Sequence, residues 1–160
     1  MTEVDKKALT ERIKEASPLE LTVINFELLI THIDTAINAA PRSVACSKAL
    51  KNAKDCLGVL FETLDMSVEF SFELADIYLF VNSILIRADF ARTEDEKNGA
   101  LNQARQIAEE LKSSWQTLLN DPKLTSESKP KTPVYIGLTY GPNGQLNEYE
   151  DYDPNSGYKI

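Results

Sequence analysis

Glycine is nearly absent from the first 121 residues of this chain, which limits the folds open to it. That stretch contains only Gly58 and Gly99, whereas four of the six glycines follow Pro133. Because glycine and proline mark turns and loops, a long stretch that nearly lacks them favours long helices. The composition changes near Pro122, so we expect a helical region followed by a region of different character.

Apolar residues at three- and four-residue spacing predict four long helices in the helical region. The first begins at Ser17, because Ser17, Pro18 and Glu20 match a capping box with proline at the first helical position. It ends at Pro41.

Three more helices follow in the sequence. They are predicted over residues 43–65, from Ser67 or Ser71 to residue 91, and from a second capping-box pattern at Thr93 to about residue 120. Short connections make sequential helices antiparallel neighbours. The predicted fold is therefore all-α: an antiparallel up-down-up-down four-helix bundle over residues 17–120.

Two further segments flank the predicted bundle. Residues 1–16 form a short N-terminal amphipathic segment, whose apolar positions are Val4, Ala8, Leu9 and Ile13. Residues 121–160 form a linker and an acidic, tyrosine-rich extended tail, in which residues 134–140 alternate between two faces. A lone hairpin is marginal in water, so we expect this tail to become ordered only when docked.

Charge and compartment signals exclude several classes of protein. The net charge of −8 argues against binding to nucleic acid and against direct membrane binding. We expect neither a membrane-spanning segment nor a secretory signal. Cys46 and Cys56 lie on one predicted helix about 15 Å apart, too far for a disulfide, which favours reduced, buried thiols. We predict a cytoplasmic protein.

Enzymatic chemistry has little support in the sequence. A di-iron bundle needs two Glu-x-x-His pairs, but His32 is the single histidine and has no glutamate three residues before it. Phosphate loops, Cys-x-x-Cys pairs and nucleophile elbows are absent. We therefore predict no catalytic residues, no metal site and no cofactor.

The helix predicted to end at residue 91 has two apolar stripes where an isolated bundle needs one. One stripe is predicted to face the core: Phe70, Leu74, Ile77, Val81, Ile84, Leu85 and Ala88. The second lies on the opposite side: Phe72, Ala75, Leu79, Ile86 and Phe90. Leaving its four large side chains in water forgoes on the order of 10 kcal/mol, so we expect something to cover them.

Coverage by the chain itself and coverage by a partner remain equally open from the spacing. The candidates are the N-terminal helix, the tail with Tyr149, Tyr152, Tyr158 and Ile160, a homodimer, or a partner's amphipathic helix. The other wall of a partner groove is predicted on the preceding helix, from Leu50, Leu57, Phe61 and Leu64. A shorter stripe, Leu21, Ile24 and Leu28, offers a resting place for the N-terminal helix.

Several segments resemble the FliS family of flagellin-specific export chaperones. Residues 16–22 resemble its Ala-Ser-Pro-x-Glu-Leu opening, and residues 47–50 with 60–65 look like its second helix. Leu74 and Tyr78 stand where that family has Leu-x-x-Leu-Tyr, and residues 110–115 resemble its Glu-Leu-Arg-x-x-Trp ending. The similarity covers about residues 13–119. Residues 24–26 depart from the family's Leu-Tyr pair, and the tail lies outside the resemblance.

The resemblance implies a cytoplasmic chaperone that binds the C-terminal helical segment of flagellin in hydrophobic grooves. It also implies prevention of premature polymerisation, delivery to the flagellar export apparatus, and an N-terminal segment that covers part of the groove. The alternative function is a self-associating structural or regulatory bundle without flagellin cargo. We expect a monomer or a weak homodimer.

Overall fold

The computed structural model describes residues 2–121 of the chain, and all the regular secondary structure in this part is α-helical. Its five helices are α1 (Glu3–Glu15), α2 (Pro18–Ile37), α3 (Val44–Glu62), α4 (Phe70–Asp89) and α5 (Glu94–Leu119). None of the described helices has the length and apolar character needed to cross a membrane. The predictions for the tail after Asp121 fall outside the described residues.

The start of α2 confirms the capping box expected from the sequence. The Ser17 hydroxyl accepts a hydrogen bond from the Glu20 amide at 3.2 Å, and the Ser17 amide donates to the Glu20 carboxylate at 2.7 Å. Pro18 occupies the first helical position, where its missing N–H would have had no partner in any case. Two backbone donors at the helix terminus are therefore satisfied within one turn.

The starts of α4 and α5 differ from the sequence expectations in detail. Thr93 caps α5 by accepting from the Glu96 amide, but the Glu96 carboxylate accepts from the Arg92 amide, so the predicted reciprocal box is only half formed. Neither Ser67 nor Ser71 caps α4, which begins at Phe70 without a side-chain cap. The Ser71 amide instead continues a turn by donating to the Val68 carbonyl at 2.9 Å.

Helices α2 to α5 surround one hydrophobic core. Helix α2 packs against α3 and α5, and α4 packs against the same two helices. The largest fully buried core side chains include Tyr78, Phe26, Leu29, Ile33, Leu50, Leu60, Ile84, Leu85 and Leu101. Trp115 is also buried. Every helix of this ring therefore contributes to one core, which leaves its outer faces for other contacts.

Lys97 of α5 joins the end of α2 to the start of α5. Its side chain is 0 % exposed, and its ammonium donates to the carbonyls of Ala36 at 2.8 Å, Ile37 at 3.0 Å and Ala39. Helix α2 has no basic residue in its own last turn. A cation from another helix therefore satisfies the terminal carbonyls and meets the negative end of the helix dipole.

Polar contacts also join α3 to the end of α4. The Ser47 hydroxyl donates to the Asp89 carboxylate at 3.1 Å, and the Lys54 ammonium lies 4.0 Å from the same carboxylate. Arg42, in the loop before α3, has a left-handed φ of 60° and donates to the Phe90 carbonyl at 3.4 Å. Residues 47–54 of α3 therefore lie beside the last turns of α4.

Helix α1 lies on the outside of this ring and has no buried residue. The Arg12 guanidinium forms a two-pronged ion pair with Glu27 of α2, at 3.0 and 3.4 Å. Ile24 of α2 is buried although it is not part of the central core cluster, and Leu9 of α1 is half-buried. These contacts agree with the expectation that the N-terminal helix rests on the outer stripe of α2.

Several residues differ in burial from the sequence predictions. Phe70, expected in the core, is 50 % exposed because it is the first residue of α4 and lies at the rim of the bundle. Ala75, expected on the second apolar stripe of α4, is buried.

Candidate peptide-binding surface

The outer side of α4 carries a row of exposed apolar side chains. Phe72 is 56 % exposed, Leu79 55 %, Ile86 41 % and Phe90 67 %. Positions 72, 79 and 86 are seven residues apart, so they share one side of the helix. The row runs for about 27 Å along the helix axis. We call these four residues the α4 stripe.

The opposite side of α4 is buried against the other helices, so the exposure of the α4 stripe is confined to one face of this helix. Leu74, Val81, Ile84, Leu85 and Ala88 are buried in the core. The sequence prediction of two apolar faces on this helix is therefore confirmed, except that Ala75 is buried and Phe70 is exposed. Because Ala75 is only 7 % exposed, it offers little surface to a partner.

The wall predicted on α3 is largely absent from the surface. Leu50, Leu57 and Leu64 are all buried and belong to the core cluster, which corrects the expectation that they line an open groove. The reason is that α3 packs against two neighbours, α2 and α4, which together bury its wide apolar face. Phe61 alone among the four predicted residues remains substantially exposed, at 38 %.

Small and polar residues line the α3 side of the surface beside the α4 stripe. Gly58, one turn before Phe61, is exposed and has no atom within 4 Å of where a Cβ would lie. Ser47 and Lys54 meet Asp89 at the other end, as described above. We call the surface bounded by the α4 stripe and by this side of α3 the α3–α4 groove.

Some exposed apolar residues were not singled out by the sequence patterns. Phe80 is 47 % exposed and lies beside the α4 stripe, about 100° around the helix from Leu79. Met66, in the connection before α4, is also exposed. The missed signal for Phe80 was its position on a helix side that otherwise carries Asp76, Ser83 and Arg87, where an aromatic residue is out of place.

Burial favours the uncharged forms of both cysteines, of Tyr78 and of His32. Burial raises the pKa of the Cys56 thiol to about 11, and burial also raises the pKa values of Cys46 and of the Tyr78 phenol. Burial lowers the pKa of His32 on α2. Protonated thiols are poor nucleophiles, so these cysteines suit a structural role.

Metal-ligand chemistry also lacks a site in the described part of the chain. No group of three or more histidine, cysteine, aspartate or glutamate side chains within residues 2–121 could hold a metal ion. Both cysteines are free and buried, as the sequence predicted.

A second concave feature lies beneath the end of α1. It is a cavity of about 280 Å³ where α1, the start of α2 and the end of α5 meet. Its lining residues are Arg12, Glu15, Ala16, Glu20, Val23, Ile24, Glu27, Gln116 and Leu119. Both ion-pairing and apolar side chains line this cavity, in contrast to the apolar core.

Comparison with known proteins places these features in a family. The model of the family described as flagellar protein FliS matches residues 1–122, which includes every described helix. No curated protein and no solved structure matches the chain. The family match covers well over half of the sequence and agrees with the all-helical structure. The chain therefore belongs to the FliS family of flagellar export chaperones.

Proposed function

We propose that this protein binds the C-terminal helical segment of flagellin along the α3–α4 groove. The single observation that supports this most is the α4 stripe, because four large apolar side chains on one helix side are open to solvent. An amphipathic helix docks by placing its apolar residues against such a row, at spacings of three, four and seven residues. Covering the row removes apolar surface from water, which favours binding.

Bound in this way, the chaperone keeps flagellin from polymerising prematurely in the cytoplasm and assists its delivery to the flagellar export apparatus. The family membership supports this role. A chaperone of this kind needs a surface for one segment of its client and no catalytic group. The candidate cargo-contacting residues are Phe61, Phe72, Leu79, Ile86 and Phe90, because each combines an apolar side chain with substantial exposure.

The supporting fold is proposed to be an antiparallel up-down-up-down four-helix bundle, with α1 as an addition. Lys97 near the start of α5 meets the end of α2, and Ser47 near the start of α3 meets the end of α4. Arg105 of α5 also pairs with Asp34 of α2 at 2.6 Å. Contacts between the beginning of one helix and the end of its neighbour support antiparallel packing.

The test is binding of a flagellin C-terminal peptide to the full chain and to variants, measured by titration calorimetry. Leu79→Asp and Ile86→Asp are each expected to weaken binding by about 30- to 150-fold, or about 2–3 kcal/mol, because a charge would be buried against the peptide. Gln103→Asp, on the exposed polar side of α5, is the matched control and is expected to bind normally.

Circular dichroism and thermal unfolding accompany each variant. Both stripe variants are expected to remain helical and to unfold cooperatively, since these side chains lie outside the core. Tight dimerisation of the unmodified chain without peptide binding would contradict the chaperone proposal and would favour self-association through the same row. Equal peptide affinity for all variants would place the cargo elsewhere on the bundle.

A further inference from the structure

The α3–α4 groove is not uniform in charge along its length. Because Asp89 contacts both Ser47 and Lys54, residues 47–54 of α3 border the end of the groove that contains Ile86 and Phe90. In this half the exposed Arg42 side chain donates to the Phe90 carbonyl, α3 exposes Lys51, and α4 exposes Arg87 next to Ile86. Within residues 2–121, Arg42 and Arg87 form no ion pair, whereas Lys51 pairs with Asp55 and Lys54 lies near Asp89.

The other half of the groove has the opposite character. Near Phe72 and Phe61 the exposed charged side chains are all acidic: Glu62, Glu69, Glu73 and Asp76. A ligand that places carboxylates along the whole groove would meet repulsion in this half. A ligand with aromatic rings and clustered carboxylates matches only the half around Ile86 and Phe90, where cations flank apolar side chains.

The chain itself contains one segment of this chemistry. Residues 147–153 read Asn-Glu-Tyr-Glu-Asp-Tyr-Asp, with four carboxylates, two tyrosines and no basic residue. Tyrosine combines an apolar ring with a polar hydroxyl and loses little side-chain entropy on docking, which suits a half-open apolar surface. The four carboxylates complement the unpaired cations of this half.

The segment can also reach the site. In the proposed antiparallel bundle, α5 ends where α4 begins, so the chain after Asp121 starts at the opposite end of the groove. Helix α4 has 20 residues and is about 30 Å long. The residues between Asp121 and Glu148 can extend to roughly 90 Å, about three times that distance. The connection therefore places no steric limit on docking within one molecule.

We propose that residues 147–153 of the same chain dock in the basic half of the α3–α4 groove, around Ile86 and Phe90, when flagellin is absent. The docked segment covers part of the α4 stripe and has to leave before cargo can occupy the whole groove. The docking itself is inferred from the charge and the apolar character of the surface and of the segment. Only its role as a competitor of cargo rests on the proposed function.

Photo-crosslinking in the full-length chain tests the docking without any cargo. A benzophenone amino acid replaces Ile86, and the crosslinked peptide is identified by mass spectrometry in an equal mixture of isotopically labelled and unlabelled chains. We expect crosslinks to residues 143–160 that join like-labelled peptides only, as a contact within one molecule requires. The same probe at Gln103 is the control and is expected to give no tail crosslink.

Two perturbations separate specific docking from chance proximity. Tyr149→Ser combined with Tyr152→Ser is expected to abolish most of the crosslink, because the apolar anchors are lost while the charges remain. Arg87→Glu, or salt at about 0.5 M with its Debye length of about 4 Å, is expected to reduce the crosslink by weakening the charge complementarity. A crosslink that is indifferent to both perturbations would overturn the proposal.

Other outcomes also have definite meanings. Crosslinks between differently labelled chains would replace the proposal with a homodimer contact, and no crosslink at Ile86 would remove it. Addition of flagellin C-terminal peptide is expected to suppress the intrachain crosslink. Failure of the peptide to bind, with the intrachain crosslink intact, would refute the proposed function and leave the docking in place. Peptide binding without any intrachain crosslink would refute the docking alone.

Discussion

Lys97 offers the most direct test of how the end of α2 is stabilised. Its buried ammonium donates to the carbonyls of Ala36, Ile37 and Ala39, and Glu94 lies 3.9 Å away. Lys97→Met keeps an unbranched apolar stem of similar length but removes all three donors. The carbonyl acceptors at the end of α2 then lose their cation, and at least one of them is buried from water.

The magnitude follows from the number and burial of these bonds. An unsatisfied buried acceptor costs about 1–3 kcal/mol, whereas partly buried acceptors recover much of that by bonding water. The burial cost of the ammonium disappears in the variant, which offsets part of the loss. We therefore expect Lys97→Met to lower the free energy of unfolding by about 2–4 kcal/mol, a large share of the 5–15 kcal/mol typical of a domain.

Urea and thermal unfolding monitored by circular dichroism measure this loss, and Trp115 fluorescence gives a second probe of the core. For a helical region of this size the midpoint is expected to fall by about 10 °C. Lys48→Met, at an exposed position of α3, is the control and is expected to change stability by less than about 0.5 kcal/mol. A Lys97→Met variant as stable as this control would refute the capping role.

Three further predictions follow from individual residues. Gly58→Ala and Gly99→Ala are each expected to raise the free energy of unfolding by about 0.5–1 kcal/mol, because alanine favours the helix and each site has room for a Cβ. If cargo follows the α3–α4 groove, only Gly58→Ala should alter peptide affinity. Lower stability of either variant in urea unfolding would contradict the free space at these sites. Burial raises the pKa of Cys56 from 9.0 to about 11, so as the pH rises the thiol loses its proton in the unfolded chain before it does so in the folded chain. The free energy of unfolding should therefore fall by up to about 2–3 kcal/mol between pH 9 and 11. Cys56→Ala should flatten this part of the stability profile, and an unchanged profile would assign the fall to other groups. In hydrogen-exchange measurements the amides of α1, which has no buried residue, are expected to exchange faster than those of α2 to α5. Arg12→Ala should speed that exchange while changing global stability by less than about 0.5 kcal/mol. Slow exchange throughout α1 would mean that it is held by a tighter contact than the Arg12–Glu27 pair.

The sequence predicted those parts of the structure that depend on local chemistry. The cap at Ser17 is confirmed because its signal lies within four consecutive residues. The two faces of α4 were also predictable, since helical periodicity alone separates Leu74 and Val81 from Leu79 and Ile86. Both inferences need only the geometry of one helix.

Features that depend on several helices were not predictable in the same way. Periodicity gave α3 a wide apolar face, but it did not reveal that α2 and α4 would bury Leu50, Leu57 and Leu64 between them. Lys97 carried no signal, because its three acceptors are about 60 residues earlier in the chain. The placement of Phe70 depended on where α4 begins relative to the ends of its neighbours.

The spacing of the α4 stripe also constrains the path of any helix that binds it. Residues 72, 79 and 86 recur every seven positions, which falls about 20° short of two full helical turns. The row therefore winds slowly around α4 and does not run straight along it. A helical client that stays in contact from Phe72 to Ile86 has to follow a left-handed supercoil, crossing α4 at about 20°, so its own apolar residues should repeat with a mean spacing near 3.5.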